Sequence, residues 1–150
     1  KKSEFNKKYQ IINDKMMNDI KIVSKNLNLK EIRNLYSITD CYVSPYLAEG
    51  FNLTPLEAAA CGTQILVTKG GCTDDYYNPY LGYQIESNEK KINDLYLLEP
   101  KIDSLISILE EKIINKSDNY KIERSKYVNK NFSWDKVVSK LKEEFRGKLK

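Results

Sequence analysis

Two carboxylates, Glu49 and Glu57, are the residues whose type and spacing most clearly suggest chemistry. They stand eight positions apart in the segment EGFNLTPLE, which predicts a loop that becomes a helix near Thr54. The first turn of a helix has unpaired amides and the positive end of the helix dipole, and both attract an anion such as a diphosphate. Gly50 lets the backbone approach a ligand closely, and the flanking carboxylates can accept hydrogen bonds from sugar hydroxyls. The segment therefore predicts a site for a ligand with phosphate and hydroxyl groups.

The same segment also has a purely structural explanation. Thr54, Pro55 and Glu57 match the N-cap, the first-turn proline and the third-position carboxylate of a capping box, in which Glu57 would only satisfy a backbone amide. Glu49 would then be a surface loop residue. Pro55 also removes one amide from the anion site, so phosphate binding depends on the amides of Leu53, Thr54 and the next free ones. Spacing alone leaves both explanations open.

The composition excludes several other kinds of site. The chain has no histidine, so it cannot form a histidine-based triad or a histidine-ligated zinc site. Its three cysteines, Cys41, Cys61 and Cys72, are not paired as C-x-x-C, and we expect small buried thiols in a reducing compartment. The sequence contains no G-x-G-x-x-G, no phosphate-binding P-loop motif and no D-x-D pair. It therefore predicts no metal site.

Two further groups of residues each have a possible binding role and a possible structural role. Asp74 and Asp75 could bind a cation, although adjacent side chains point in different directions and a cap at the start of a helix is the commoner role. The tyrosines at positions 76, 77, 80 and 83 could stack against sugars or bases, or could be half-buried aromatic residues beside a sheet.

The charge pattern bears on partners and location. The 150 residues carry a net charge of +4, and residues 112–150 alone carry 12 basic and 5 acidic side chains. A Lys-rich tail of this kind is compatible with contact to an anionic membrane surface, although a solvated helical face is the commoner cause. Only three of the 25 basic residues are arginine, which argues against nucleic acid. No apolar run approaches the ~20 residues of a membrane-spanning helix, so we expect a cytoplasmic protein.

The hydrophobic pattern predicts helices that alternate with short strands. Predicted strands cover residues 20–23, 41–45, 64–68 and, weakly, 83–86; predicted helices cover 4–18, 54–62 and 102–113, with a short helix after Asn28 and another near 73. A last helix begins at Ser133 and should turn inward Trp134, Val137, Val138, Leu141 and Phe145. This order predicts an α/β fold with a Rossmann-like parallel sheet and helices on both faces. Since a helix opens the chain, we expect the first strand and helix of the sheet to precede Lys1.

Several of these segments, taken in order, resemble glycosyltransferase family 4. They are YSITD at residues 36–40, Ser44-Pro45, the E-x7-E run followed by Gly62, and the aromatic Phe132-Ser133-Trp134. The resemblance implies the two-domain GT-B fold, with residues 1–150 forming an incomplete C-terminal nucleotide-sugar-binding domain. It implies transfer of a hexose from a UDP- or GDP-sugar to an unidentified acceptor with retention of configuration. The partner would be an N-terminal acceptor domain.

The resemblance also assigns roles to residues. Glu49 would be the catalytic carboxylate that faces the donor sugar, and Glu57 would accept from the ribose hydroxyls. The base would lie near Val23 and Lys25. The sugar hydroxyls and the diphosphate would be held by backbone amides of Gly50, Phe51, Asn52, Leu53 and Thr54. The nucleotide sugar is a substrate, so the resemblance implies neither a cofactor nor an obligatory metal.

Two departures keep other functions open. The family's usual strand with an Arg and a Lys that neutralise the diphosphate is not among these residues, and neither is the catalytic histidine of the acceptor domain. We therefore expect the isolated chain to bind donor poorly and to transfer nothing. The main alternative is a non-catalytic α/β binding or interaction module. A flavodoxin-like signalling domain is a weaker one, because its acidic cluster at strand ends is missing.

Overall fold

The computed structural model describes residues 19–114 and 116–148. The predicted helix over 4–18 lies outside these residues. In chain order the elements are α1 (Leu29–Ile38), β1 (Cys41–Ser44), α2 (Leu53–Ala60), β2 (Gln64–Thr68), a 3₁₀ turn (Cys72–Asp75), β3 (Gly82–Ile85), β4 (Ser87–Ile92), β5 (Leu95–Pro100), α3 (Ile102–Ile108), a π-helical turn (Leu109–Ile113), α4 (Lys121–Phe132) and α5 (Trp134–Lys148).

The main sheet has three parallel strands in the order β1-β2-β3. Tyr42 pairs with Ile65, and Ile65 pairs with Gly82 on the other side. Strands β4 and β5 form a separate antiparallel hairpin. Helices connect and cover the parallel strands, so the predicted Rossmann-like α/β fold is confirmed.

The central strand β2 is buried on both of its faces. Ile65 and Val67 belong to the main core cluster, together with Leu56 of α2 and Val128 of α4. Successive side chains of a strand point to opposite faces, so the fully buried Leu66 lies on the other side of the sheet. A run without polar alternation is typical of such a strand, and this part of the prediction is confirmed.

Gly82 allows β3 to approach β2 closely. Its φ is +151°, and a Cβ at this position would lie 1.9 Å from the carbonyl oxygen of Ile65. No side chain can be accommodated there without moving the backbone, because that oxygen belongs to the neighbouring strand. The weak strand predicted at 83–86 is confirmed, and this glycine is its first residue.

A buried arginine ties α4 to the sheet. The Arg124 guanidinium is fully buried and donates to the carbonyl oxygens of Gly62 at 2.6 Å and Tyr80 at 3.0 Å, just ahead of β2 and β3. It also donates two hydrogen bonds to Asp118, at 2.8 and 3.0 Å. Burial of Asp118 opposes its ionisation, but hydrogen bonds from Arg124 and from the Tyr120 amide outweigh burial and lower the pKa of the carboxyl.

The strand predicted at 20–23 is wrong. The segment has no regular secondary structure and pairs with no strand among the described residues, and Ile22 is 76% exposed. The described sheet ends at β1, which pairs with β2 alone. A four-residue segment with three β-branched residues has β propensity but forms a strand only where a neighbour supplies its hydrogen bonds.

The last helix begins where predicted, but its apolar stripe is not buried. The Ser133 hydroxyl accepts from the Lys136 amide at 3.4 Å, as an N-cap does. The predicted inward residues are instead exposed, from 38% at Val137 to 82% at Trp134. Helix α5 packs against α4 only at its start, so no described element covers the rest of the stripe. The predicted stripe of residues 102–113 is also only partly buried, with Ile102 71% exposed.

The β4–β5 hairpin was not predicted, because no strand was assigned to residues 87–100. Its turn is Asn93-Asp94, and Asn93 has a φ of 56°. Asparagine tolerates this left-handed conformation, which tight hairpin turns require. An Asn-Asp pair between Ile92 and Leu95 is therefore the signal that could have revealed the hairpin.

Candidate functional site

Helix α2 begins earlier than predicted, and the expected capping box does not form. Its N-cap is Asn52, which adopts the left-handed conformation with φ 59° and ψ 70°, and its first residue is Leu53. Thr54 lies inside the first turn, where its hydroxyl accepts from Tyr42 at 2.9 Å and donates to the Asn52 side chain at 3.3 Å. Among the described residues no side chain caps the first amides of α2. The structural explanation for Glu57 is therefore wrong.

Asn52 anchors the end of the Glu49 loop, which we define as residues 45–52. Its side-chain amide donates to the Ser44 hydroxyl at 3.1 Å, and its carbonyl oxygen accepts from the Tyr76 hydroxyl at 2.8 Å. The Tyr76 ring packs against Phe51, with 5.3 Å between ring centroids. Burial of this ring raises the pKa of the Tyr76 phenol, which therefore stays protonated and donates.

Tyr46 anchors the beginning of the same loop. Its hydroxyl lies 2.8 Å from that of Thr73, and burial raises the pKa of this phenol. Its carbonyl oxygen accepts from the Thr68 hydroxyl at 3.0 Å. The loop is thus fixed at both ends to the carboxyl-terminal edge of the parallel sheet. Ligands of open α/β sheets bind at this edge.

Glu57 lines a cavity of about 360 Å³. Phe51 and Leu53 contribute to its wall from the loop and the helix start, and the end of α4 and start of α5 close it with Phe132 and Trp134. The walls are mostly apolar, so Glu57 is one of few polar groups in this cavity. This arrangement suits a ligand with an apolar body and a few hydroxyl groups.

Glu49 lines a second cavity, of about 240 Å³, on which the hairpin forms one side. The other sides come from residues 46–49 of the loop and from Gly70, Gly71 and Cys72. The structure therefore places the two glutamates in separate cavities, each with a wall from the Glu49 loop. The uncapped start of α2 contributes Leu53 to the cavity of Glu57, and it contributes no residue to the cavity of Glu49.

The remaining predicted binding residues differ in their surroundings. Gly50 is exposed, with no atom within 4 Å of where a Cβ would lie, so the structure leaves space beside it. Val23 and Lys25 lie in the segment before α1 and are not among the residues that line the two cavities. The Lys25 ammonium pairs with Glu31 at 2.9 Å.

Asp74, Tyr76 and Tyr77, for which the sequence left two roles open, make contacts within the fold. Asp74 accepts a hydrogen bond from the Gly70 amide at 3.0 Å and another from the Gln84 side chain. Tyr76 is buried, and the Tyr77 hydroxyl donates to the Gly82 carbonyl oxygen at 3.0 Å. No group of three or more potential ligands in the described chain could hold a metal ion.

Sequence reasoning missed the hairpin residues of the second cavity, Glu89, Tyr96 and Leu98. It also missed Tyr46, whose signal was weak because an isolated tyrosine after Ser44-Pro45 has no defining pattern. Across residues 19–114 and 116–148, none of the helices has the length and apolarity needed to cross a membrane.

The family model of the glycosyl transferases group 1 matches residues 1–119. The chain belongs to this family. The match covers both glutamates, the three parallel strands and the hairpin of this group 1 glycosyltransferase chain, and it ends just before α4. No curated protein is significantly similar to the chain.

Proposed function

We propose that this group 1 glycosyltransferase chain is the donor-binding part of a retaining, GT-B enzyme of family 4. The enzyme would transfer a hexose from a UDP- or GDP-sugar to an acceptor held by a separate N-terminal domain. The observation that carries this proposal is the Glu49 loop, which contributes a wall to two cavities, each lined by one glutamate, and leads into a start of α2 that no side chain caps. A nucleotide sugar has hydroxyl groups on its sugar and on its ribose, with a diphosphate between them, so it could use both carboxylates and the free amides.

The diphosphate would be held at the start of α2. The amides of Leu53 and Thr54 are the first two of the helix, and Pro55 has none to offer. The amides of Gly50, Phe51 and Asn52 would add donors from the loop. As the bond to the sugar breaks, negative charge grows on the diphosphate, and fixed amides stabilise it without reorganising. The proposal includes no obligatory metal, and basic groups from outside these residues would complete the neutralisation.

The two carboxylates would contact the two parts of the donor on either side of the diphosphate. Glu57 would accept from the ribose hydroxyls in the larger cavity, whose apolar walls suit a nucleoside. Glu49 would orient the sugar in the smaller cavity, next to the diphosphate. The base would extend toward Val23 and Lys25. We place the reaction in the cytoplasm, with the Lys-rich residues 112–150 against an anionic membrane surface.

Calorimetric titration of the full-length polypeptide with UDP and GDP tests the nucleotide half. A hydrogen bond to a charged group contributes about 1.5–3 kcal/mol, so Glu57→Gln should weaken binding of the preferred nucleotide roughly tenfold to a hundredfold. Glu144→Gln removes an exposed carboxylate of α5 and serves as the matched control. Unchanged affinity in Glu57→Gln would remove the ribose role. If neither nucleotide binds, the chain is a non-catalytic module.

A further inference from the structure

The β4–β5 hairpin is firmly attached to the Glu49 loop. The Leu98 amide donates to the Leu47 carbonyl oxygen at 2.7 Å, and the Ser87 hydroxyl donates to the Lys69 carbonyl oxygen at 2.7 Å. Leu98 also packs tightly against Gly71, where a Cβ would lie 2.8 Å from its Cδ1. Hydrogen bonds and packing therefore hold the hairpin side of the second cavity against the rest of the chain.

Acidic side chains are the charged groups of this cavity. Glu49 lines it from the loop and Glu89 from the hairpin, while no lysine or arginine is among its lining residues. Nearby lysines are engaged elsewhere: Lys69 pairs with Glu86 at 2.8 Å, and Lys90 pairs with Glu99 at 2.8 Å. The residues that line this cavity therefore supply two carboxylates and no lysine or arginine.

The neighbouring Lys91 lies on the same face of the hairpin as Glu89, but it is not among the lining residues and it contacts Tyr96. Its ammonium lies over the ring of Tyr96, 5.4 Å from the ring centroid, and the two residues face each other across the hairpin. Tyr96 itself lines the cavity and adds an aromatic surface beside the acidic groups. The apolar face of a sugar packs well on such a ring.

We propose that the hairpin selects the class of donor sugar, admitting neutral and amino sugars and rejecting sugars that carry a carboxylate. The inference depends on the proposed function, because it places the donor sugar beside Glu49. Carboxylates accept hydrogen bonds from hydroxyl or ammonium groups, which a neutral or amino sugar supplies. A uronate would bring a third negative charge into the cavity that Glu49 and Glu89 line, and like charges repel.

The test compares donors that differ only at C6, where a hydroxymethyl group is replaced by a carboxylate. Calorimetry on the full-length polypeptide would measure UDP-glucose against UDP-glucuronate, or GDP-mannose against GDP-mannuronate, with the free nucleotide in parallel. We expect the uronate to bind on the order of tenfold more weakly than the neutral sugar. Glu89→Gln should reduce the ratio of neutral-sugar affinity to uronate affinity about threefold, and Glu89→Lys should abolish or reverse the preference. The affinity for the free nucleotide should stay unchanged in both variants.

Glu144→Gln is again the control, since it removes one exposed carboxylate far along α5 and should leave the ratio unchanged. Glu89 is exposed, and a thermal melt of each variant verifies its folding. Equal or tighter binding of the uronate by the wild-type protein would overturn the inference while leaving the donor site in place. So would a ratio that neither Glu89 variant alters. Failure of UDP and GDP to bind at all would overturn the proposed function, and the inference with it.

Discussion

Tyr46 and Thr68 bind each other's backbone. The Tyr46 hydroxyl donates to the Thr68 carbonyl oxygen at 3.2 Å, and the Thr68 hydroxyl donates to the Tyr46 carbonyl oxygen at 3.0 Å. Both residues are buried. This reciprocal pair joins the end of β2 to the loop that carries Glu49, so the position of that carboxylate depends on the central strand.

Tyr46→Phe should loosen the loop without removing any proposed ligand contact. The change leaves the Thr68 carbonyl oxygen without this donor, so the free energy of unfolding should fall by about 1–2 kcal/mol. Turnover should fall further than UDP or GDP affinity, because Glu49 shifts while the start of α2 does not. Urea unfolding measures the change in the free energy of unfolding, and steady-state kinetics of the full-length polypeptide measure the change in turnover. The partly exposed Tyr83 provides a matched control as Tyr83→Phe, and equal losses in the two variants would contradict the positioning role.

Asn52→Gly should be more stable than Asn52→Ala, although alanine is ordinarily the better helix former. Asn52 has a φ of 59°, which glycine adopts freely and alanine only with strain. Both Asn52→Gly and Asn52→Ala lose the bond to Ser44, but Asn52→Ala should be less stable by a further ~1 kcal/mol. Thermal or urea unfolding of the two variants measures this difference in stability. An alanine variant as stable as the glycine variant would mean that α2 starts elsewhere.

Arg124→Met should be among the most destabilising single changes in the chain. It leaves the Gly62 and Tyr80 carbonyl oxygens and the Asp118 carboxylate without their shared donor. Breaking a buried pair in this way typically costs about 3–5 kcal/mol. The exposed Arg33 of α1 offers the control, since Arg33→Met should change the free energy of unfolding by less than about 0.5 kcal/mol. Comparable losses for both would show that burial of the guanidinium contributes little.

The same ion pair should make stability depend on acid pH. The pKa of Asp118 lies below its ordinary value of 3.8 in the folded chain, so the unfolded state binds more protons as the pH falls. The contribution of Asp118 is therefore complete above its unfolded pKa and is lost as the pH falls through the folded one. Unfolding free energies of the wild type and Asp118→Asn should converge over the interval in which the pH falls from above the unfolded pKa of Asp118 through its lowered folded pKa. A constant difference over that interval would exclude this linkage.

Gly82→Ala should separate β3 from β2. The added Cβ would meet the Ile65 carbonyl oxygen at 1.9 Å, and a backbone atom in a ladder cannot move aside as a side chain end can. We expect a loss of about 3 kcal/mol or more. Gly50→Ala is the control, because nothing lies within 4 Å of its Cβ position and its effect on stability should be small. Circular dichroism during urea unfolding distinguishes the two variants.

The parts of the fold that local patterns determine were predictable. The uninterrupted apolar run of β2, the end of α2 near Gly62 and the Ser133 cap depend on neighbouring residues, and each is confirmed. The strand at 20–23 and the buried stripe of α5 required a partner from elsewhere in the fold, and the described residues supply none. An amphipathic pattern identifies a face but does not identify what covers it.

The candidate site was predictable in position and less so in detail. The E-x7-E run located the turn at the sheet edge. The start of α2 was misjudged because Thr54 and Glu57 imitate a capping box, whereas Asn52 turns the chain two residues earlier in a conformation that few residue types tolerate. The hairpin wall was missed because its charged strand, SNEKKI, has little of the β-branched character that marks strands in a sequence.

Trp134, the one tryptophan of the chain, is 82% exposed and lies in the wall of the cavity that contains Glu57. An indole so placed emits as a solvated fluorophore, and any molecule that settles against it will displace water and change its emission. The chain thus carries its own optical reporter for occupancy of that cavity, and unlabelled nucleotides can be followed by intrinsic fluorescence.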